Sequence, residues 1–222
     1  MVDVQAVIRA MSKSAEIPKD EPRKPVITIS RTIGSGGDEV AAQVAERLGI
    51  ECYSAEILDE IAKRSKVSKK LMISLHEKNR RSGDAWLYSV LSGKHVSKDD
   101  YLHFLTLTIR RMSHMGGVIC GRGGNIILAD CDVLRVRITG SVEVCAKRIA
   151  MEDQSSMADA KKKVRDSNQS RGGFVWKMFG KRVNDPLNFD LTINTDSFAD
   201  FGKVADIIVQ ALHSMGYGPP PK

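Results

Sequence analysis

The chain has 222 residues, 42% of them hydrophobic and only 5% aromatic, with 34 Lys and Arg against 27 Asp and Glu for a net charge of +7. That length buries a sizeable core. No apolar run reaches the roughly 18 residues of a membrane span, and so few aromatics argue against a base-stacking platform for single-stranded nucleic acid. The Met1-Val2-Asp3-Val4-Gln5 start has no basic region leading into an apolar stretch, so no secretory signal is expected. Cys52, Cys120, Cys131 and Cys145 show no metal-ligand spacing and read as buried thiols of a cytoplasmic protein.

In chain order, residues 1–24 read as a flexible polar arm ending in a Lys/Glu/Pro linker. Val26 to Ser30 is β-branched and almost wholly apolar, the pattern of a strand covered on both faces. From Asp38 to Leu48 the apolar residues Val40, Ala41, Val44, Ala45 and Leu48 keep helical spacing, and Gly49 ends the helix. Ile50 to Tyr53 reads as a short second strand, and Ser54 as the cap of a helix to about Arg64. Two or three more helices are predicted between Ser68 and Met115. Gly117-Val118-Ile119-Cys120 followed by Gly121-Arg122-Gly123-Gly124 repeats the strand-to-glycine-turn pattern. Val133 to Thr139 is a strand carrying Arg135 and Arg137 in alternation, Ser141 to Met151 a helix, Phe189 to Thr195 the last strand, and Phe201 to Met215 a closing helix before a frayed tail, 216–222. Alternating strands and helices predict an α/β sandwich with a parallel sheet. Two stretches look added to it: a helical lobe over 54–115 and a basic lobe over 156–185. The whole net charge lies between Lys161 and Arg182, where eight basic residues face one acid, Asp166. Such a segment suits a phosphate clamp. Trp86, Trp176, Phe174 and Phe179 are expected to anchor the two lobes rather than to stack on bases.

The most informative stretch is Ile29-Ser30-Arg31-Thr32-Ile33-Gly34-Ser35-Gly36-Gly37-Asp38-Glu39. A buried strand, a glycine-rich turn and a helix start together present backbone N–H groups and a partial positive charge to an anion. A Walker A loop would continue its last glycine with Lys and Ser or Thr. Here Gly37, Asp38 and Glu39 follow instead, and Arg31 stands where that loop has its first glycine. Arg31 is therefore a candidate substitute cation, with a salt bridge to Glu39 or another acid as its structural alternative. Asp38 is a candidate Mg²⁺ ligand, or a first-turn acid that stabilises the helix dipole by about 0.3–1 kcal/mol.

Ile27 to Gly49, Cys120-Gly121-Arg122-Gly123, Arg165 to Arg171 and Asp185 to Thr195 come in the order and spacing of the cytidylate kinase-like proteins, and the chain resembles that family from about Pro25 to Leu212. The resemblance implies a P-loop NTPase three-layer sandwich over 25–215. It has a five-stranded parallel sheet, a helical NMP-binding lobe (54–115) and a mobile basic lid (156–185). It also implies ATP and Mg²⁺ as cofactors and CMP or dCMP as acceptor. Mapped by motif, Gly34, Ser35, Gly36 and Gly37 would wrap the donor phosphates, and Asn194 and Thr195 would lie at the donor base. Arg122 would grip the acceptor phosphate, and Arg165 and Arg171 would close over the transferring phosphoryl, Arg171 being placed at a Gly172-Gly173 hinge. Two departures stand out: the missing lysine, and Cys120-Gly121-Arg122-Gly123 where cytidylate kinases have Asp-Gly-Arg-Asp.

The reading that follows is a cytoplasmic phosphotransferase moving the γ-phosphoryl of ATP to a nucleoside monophosphate. A catalytically degenerate nucleotide or phosphate sensor is one alternative. A nucleic-acid-binding module using residues 161–182 is the other. No membrane partner is expected, nucleic acid is disfavoured, and the oligomeric state is left open.

Overall fold

The computed structural model describes residues 24–58 and 98–217. The arm, most of the helical lobe with Trp86, and residues 218–222 lie outside them. The strands are β1 (Val26–Arg31), β2 (Cys52–Tyr53), β3 (Gly117–Cys120), β4 (Leu134–Thr139) and β5 (Leu191–Asn194). They form one sheet in the order β2-β3-β1-β4-β5, and every pairing is parallel. Six helices are described in full: α1 (Gly37–Leu48), α2 (Lys98–Met115), α3 (Gly124–Ile127), α4 (Val142–Asp153), α5 (Met157–Phe179) and α6 (Phe201–Ser214). The chain runs outward from β1 to one side of the sheet and then returns to the other, so a crevice opens at the carboxyl ends beside β1.

Local chemistry sets the helix limits. Gly49 closes α1 in the left-handed region (φ 62°) and donates its N–H to the Ala45 and Glu46 carbonyls. Ser141 and Ser156 cap α4 and α5, accepting from the N–H of Val144 and Asp159. Ser54 accepts the Ile57 N–H at 3.3 Å as a helix starts at residue 55.

One face of the sheet is apolar throughout: Ile27, Ile29, Val136, Ile138 and Ile193 pack against Val40 and Val44 of α1 and Val204 and Ile208 of α6. The other face is divided. Over β2 and β3, Tyr53 and Ile119 pack with Leu105, Ile109 and Met112 of α2. Over β4 the inward positions are Arg135 and Arg137, and Asp190 holds Arg135 through its backbone N–H (2.8 Å), Nε (3.0 Å) and Nη2 (2.5 Å). Those bonds also draw the Asp190 carboxyl below its usual range.

Three expectations change. The expected hinge at Gly172-Gly173 is the interior of one helix, α5, of 23 residues, about 34 Å long at 1.5 Å per residue. Its first half packs on α4 through Ala160 and Val164, while Phe174 and Phe179 near its end reach the cluster under α2. Trp176 is 62% exposed, so the expected burial of a lid anchor is absent there. The tail is held as far as Tyr217, whose hydroxyl donates to the Asp132 carbonyl at 3.1 Å and whose carbonyl lies 2.7 Å from His213 Nδ1. The four cysteines are free thiols, Cys120 and Cys145 buried and Cys52 and Cys131 partly so. No described helix is long and apolar enough to cross a membrane.

Candidate active site

The first glycine turn links β1 to α1. Gly34 and Gly36 both take φ 74°, and protein fills the space a side chain would need. A Cβ on Gly34 would lie 2.6 Å from the Cys145 carbonyl oxygen, and one on Gly36 2.3 Å from the Phe201 ring. Packing alone therefore accounts for these two glycines. Ser35 is fully buried: its hydroxyl (2.7 Å) and its N–H (3.3 Å) both donate to the Thr32 carbonyl and its own carbonyl accepts from Thr195, so the expected contact of Ser35 with a donor phosphate is closed off by packing. What the turn leaves open is the start of α1, where no side chain caps the helix beyond Gly36. The first-turn N–H groups there lack intrahelical partners by geometry.

Gly37 has a different neighbour. A Cβ there would meet Arg31 Cβ at 2.5 Å and Cγ at 2.9 Å. The stem of Arg31 thus fills the volume from which a side chain at position 37 would emerge. Its Nε donates to Asp38 Oδ1 at 2.7 Å, and its Nη1 lies 2.7 Å from where a Gly121 Cβ would be. Of the two sequence alternatives for Arg31, the ion pair is present, with Asp38 rather than Glu39 as partner. The Arg31 side chain is 9% exposed and Asp38 67% exposed. Glu39 instead accepts from Gln43.

The second glycine turn links β3 to α3. Gly121, Arg122 and Gly123 all have positive φ (75°, 50° and 71°). Left-handed backbone at an arginine is strained, and Arg122 is placed there with its guanidinium 5.1 Å from the Phe174 ring centroid. Phe174 in turn meets Phe179 and Tyr101 edge-on. A Cβ on Gly123 would strike Phe179 at 2.3 Å.

From α5, Arg171 reaches into the crevice and donates to the Arg31 carbonyl at 2.9 Å. Burial holds its guanidinium below the ordinary arginine range, with the charges of Arg31 and Arg122 acting the same way. Arg31, Arg122 and Arg171 therefore converge. Arg165 does not: six residues earlier on the same helix it is exposed, and its charge is felt at Glu143, a carboxyl lowered chiefly by its bond from Lys161. The basic segment is thus dispersed around α5. Lys161 pairs with Glu143 (2.5 Å) and Lys163 with Asp153 (2.6 Å), so two of its cations are tied to neighbouring carboxylates.

At the end of β5, Asn194 turns its side chain back to the Asp196 N–H. Thr195 is fully buried, with its hydroxyl bonded to the Ser35 carbonyl at 2.9 Å. These contacts make Thr195 a strut beneath the glycine turn, unavailable to a base. The residue that completes the strut went unnoticed in the sequence. Arg148 donates to the Gly34 carbonyl (3.2 Å), Thr195 Oγ1 (3.0 Å) and carbonyl (2.7 Å), and the Phe198 carbonyl (3.1 Å), while its guanidinium lies 5.0 Å from the Phe201 ring centroid. Its sequence signal is weak: Arg148 is one of two adjacent cations, with Lys147, between the buried positions Ala146 and Ile149.

Among the described residues no cluster of three or more His, Cys, Asp or Glu side chains is arranged for a metal. Mg²⁺ bound through phosphates needs only one or two carboxylates. Asp38, exposed and with one oxygen turned to Arg31, fits that lesser role.

The structure is an α/β protein on a five-stranded parallel sheet of order β2-β3-β1-β4-β5, with two glycine turns and three arginines at its carboxyl edge. Residues 26–197 match the model of the cytidylate kinase-like family, and the chain belongs to that family. It is 27% identical over 192 residues to a cytidylate kinase of Sulfurisphaera tokodaii, covering 86% of this chain and 96% of that one. In fold it is similar to an uncharacterized protein of Eubacterium ventriosum, with a TM-score of 0.65, 22% identity, and coverage of 86% of this chain and 99% of that one.

Proposed function

We propose that the protein is a nucleotide kinase that transfers the γ-phosphoryl of ATP to a pyrimidine nucleoside monophosphate, CMP or dCMP, with Arg31 in the place of the Walker lysine. One observation carries this reading: the Arg31 stem occupies the volume over Gly37. The cation and the glycine have exchanged positions in the motif, which keeps one positive group beside the start of α1. Family membership and the identity to a cytidylate kinase support the acceptor class.

In this reading the α1 N-terminus holds the donor phosphates and Arg31 neutralises them. Arg122 takes the acceptor's phosphate and Arg171 the phosphoryl in flight. Phosphoryl transfer is mostly positioning and charge neutralisation, so convergent guanidiniums suit it. Mg²⁺, when bound, would spread the triphosphate's charge, with Asp38 as its protein ligand. Residues 156–185 act as the lid, and Gly172-Gly173 lies inside its long helix rather than at a hinge. Neither glycine is required by packing, since Gly172 has only an ordinary contact and Gly173 has none, and each helix-interior glycine costs about 0.5–1 kcal/mol against alanine.

The test is product formation from ATP–Mg²⁺ and a panel of nucleoside monophosphates, with Arg171→Ala as control. CDP or dCDP formation that collapses in the control is expected. Tight nucleotide binding with no product from any acceptor would favour the sensor reading instead.

A further inference from the structure

Two arginines project from the same face of β4, and among the described residues only one has a counter-ion. Arg135 is held by Asp190. Arg137 is 8% exposed, and its bonds go to neutral oxygens: Ser30 Oγ at 2.8 Å and Asn184 Oδ1 at 2.8 Å, with the Phe189 ring centroid at 5.9 Å. Among the described residues no carboxylate lies within ion-pair distance of it. A buried charge without an anion is costly and is normally paired. Arg171, also cationic, makes matters worse by adding to burial in disfavouring the charged form of Arg137. Both guanidiniums line one cavity of about 200 Å³ with Arg31, Thr32, Thr139 and Asn168. That is room for about six waters at ~30 Å³ each. The hydroxyls of Thr32 and Thr139 sit 3.1 Å apart on its wall. Three guanidiniums, two hydroxyls and two amides, with no carboxylate among the lining residues, make a wall rich in donors, the complement of a phosphate group.

We propose that this cavity, on the β4 side of the glycine turn, binds one phosphate group between Arg137 and Arg171. The group is either free inorganic phosphate or the end of a nucleotide. The cavity shares Arg31 and Arg171 with the proposed active site, so the proposal adds Arg137 to the phosphate-binding groups of that site; inorganic phosphate binding needs no phosphoryl transfer and is read separately from it.

The experiment measures inorganic phosphate binding to the full chain by calorimetry and by the thermal midpoint at constant ionic strength. Phosphate at a hundredfold excess over its Kd should raise the midpoint by about 5–10 °C. In Arg137→Met the rise should vanish, while the phosphate-free protein melts no lower than wild type because an unpaired buried charge has gone. Should that variant not fold, Arg137→Lys carries the test: it keeps the charge but loses the planar fork, so a Kd weakened at least tenfold is expected. Arg135→Met, which breaks a structural ion pair, should melt lower yet keep the phosphate response. An undiminished response in the Arg137 variants, or none in wild type, overturns the proposal. Repeating the titration with saturating ATP separates the sources: competition identifies the nucleotide's phosphate, and independent binding identifies free phosphate.

Discussion

Both glycine turns at the carboxyl edge enter their helices through a left-handed cap, Gly36 at φ 74° and Gly123 at φ 71°, and each cap lies beneath an aromatic ring. The rings come from different parts of the molecule. Phe201, under the first turn, begins α6 in the main sandwich, and Arg148 and Thr195 tie the same turn to α4 and β5. Phe174 and Phe179, against the second, belong to α5, the proposed lid. The first turn is thus fixed to the body of the protein, while the second is shaped by the segment that would move. A donor cradle that stays rigid and an acceptor turn that forms as the lid docks would follow from that difference.

The largest effect should come from the residue that touches both turns. Arg31→Ala is expected to lower phosphoryl transfer about 10²–10³-fold, the cost of losing one preorganised donor. The exchange Arg31→Gly with Gly37→Lys, which restores the usual motif order, should recover at least part of it in the same steady-state assay. Recovery no better than Arg31→Ala alone would argue against the exchanged cation.

Breaking the body-side support comes next. Arg148→Met removes charge-assisted bonds to three carbonyls and a hydroxyl, and should cost about 3 kcal/mol in urea unfolding. Gly36→Ala should cost about 2 kcal/mol, from left-handed strain of about 1–2 kcal/mol and the Phe201 contact. A double mutant with Phe201→Ala should show coupling of at least about 0.5 kcal/mol; strict additivity would mean that the ring does not fix the turn.

The smallest effect is predicted on the lid side. Arg122→Gly relieves a strained left-handed arginine but forfeits a ring contact worth about 0.5–1 kcal/mol. Stability should stay within about 1 kcal/mol of wild type while the KM for the acceptor rises. A large loss of stability there would show that the second turn is as rigidly built as the first.

Much of the fold was legible because it rests on local signals. The β-branched run at Val26–Arg31, the helical spacing after Asp38 and the serine caps at 141 and 156 each dictate backbone geometry within a few residues. The hinge at Gly172-Gly173 was misread for the opposite reason. Glycine lowers helix stability without forbidding it, and contacts at both ends of α5 outweigh that cost. Thr195 was misassigned because a sequence does not say which side of a strand end faces solvent.

By itself, the sequence determined the parallel α/β architecture, the two glycine turns and the missing lysine, because hydrophobic period and glycine position act locally. Only the tertiary structure decided which arginines act together. Arg31, Arg122 and Arg171 meet because three separate elements end at one edge of the sheet, whereas Arg165 is turned away by helical geometry. Among the described residues Arg137 has no counter-ion, because its strand register places it beside Asn184 and another cation. Charge pairing depends on distances across the fold, and those are set by packing between elements far apart in the chain.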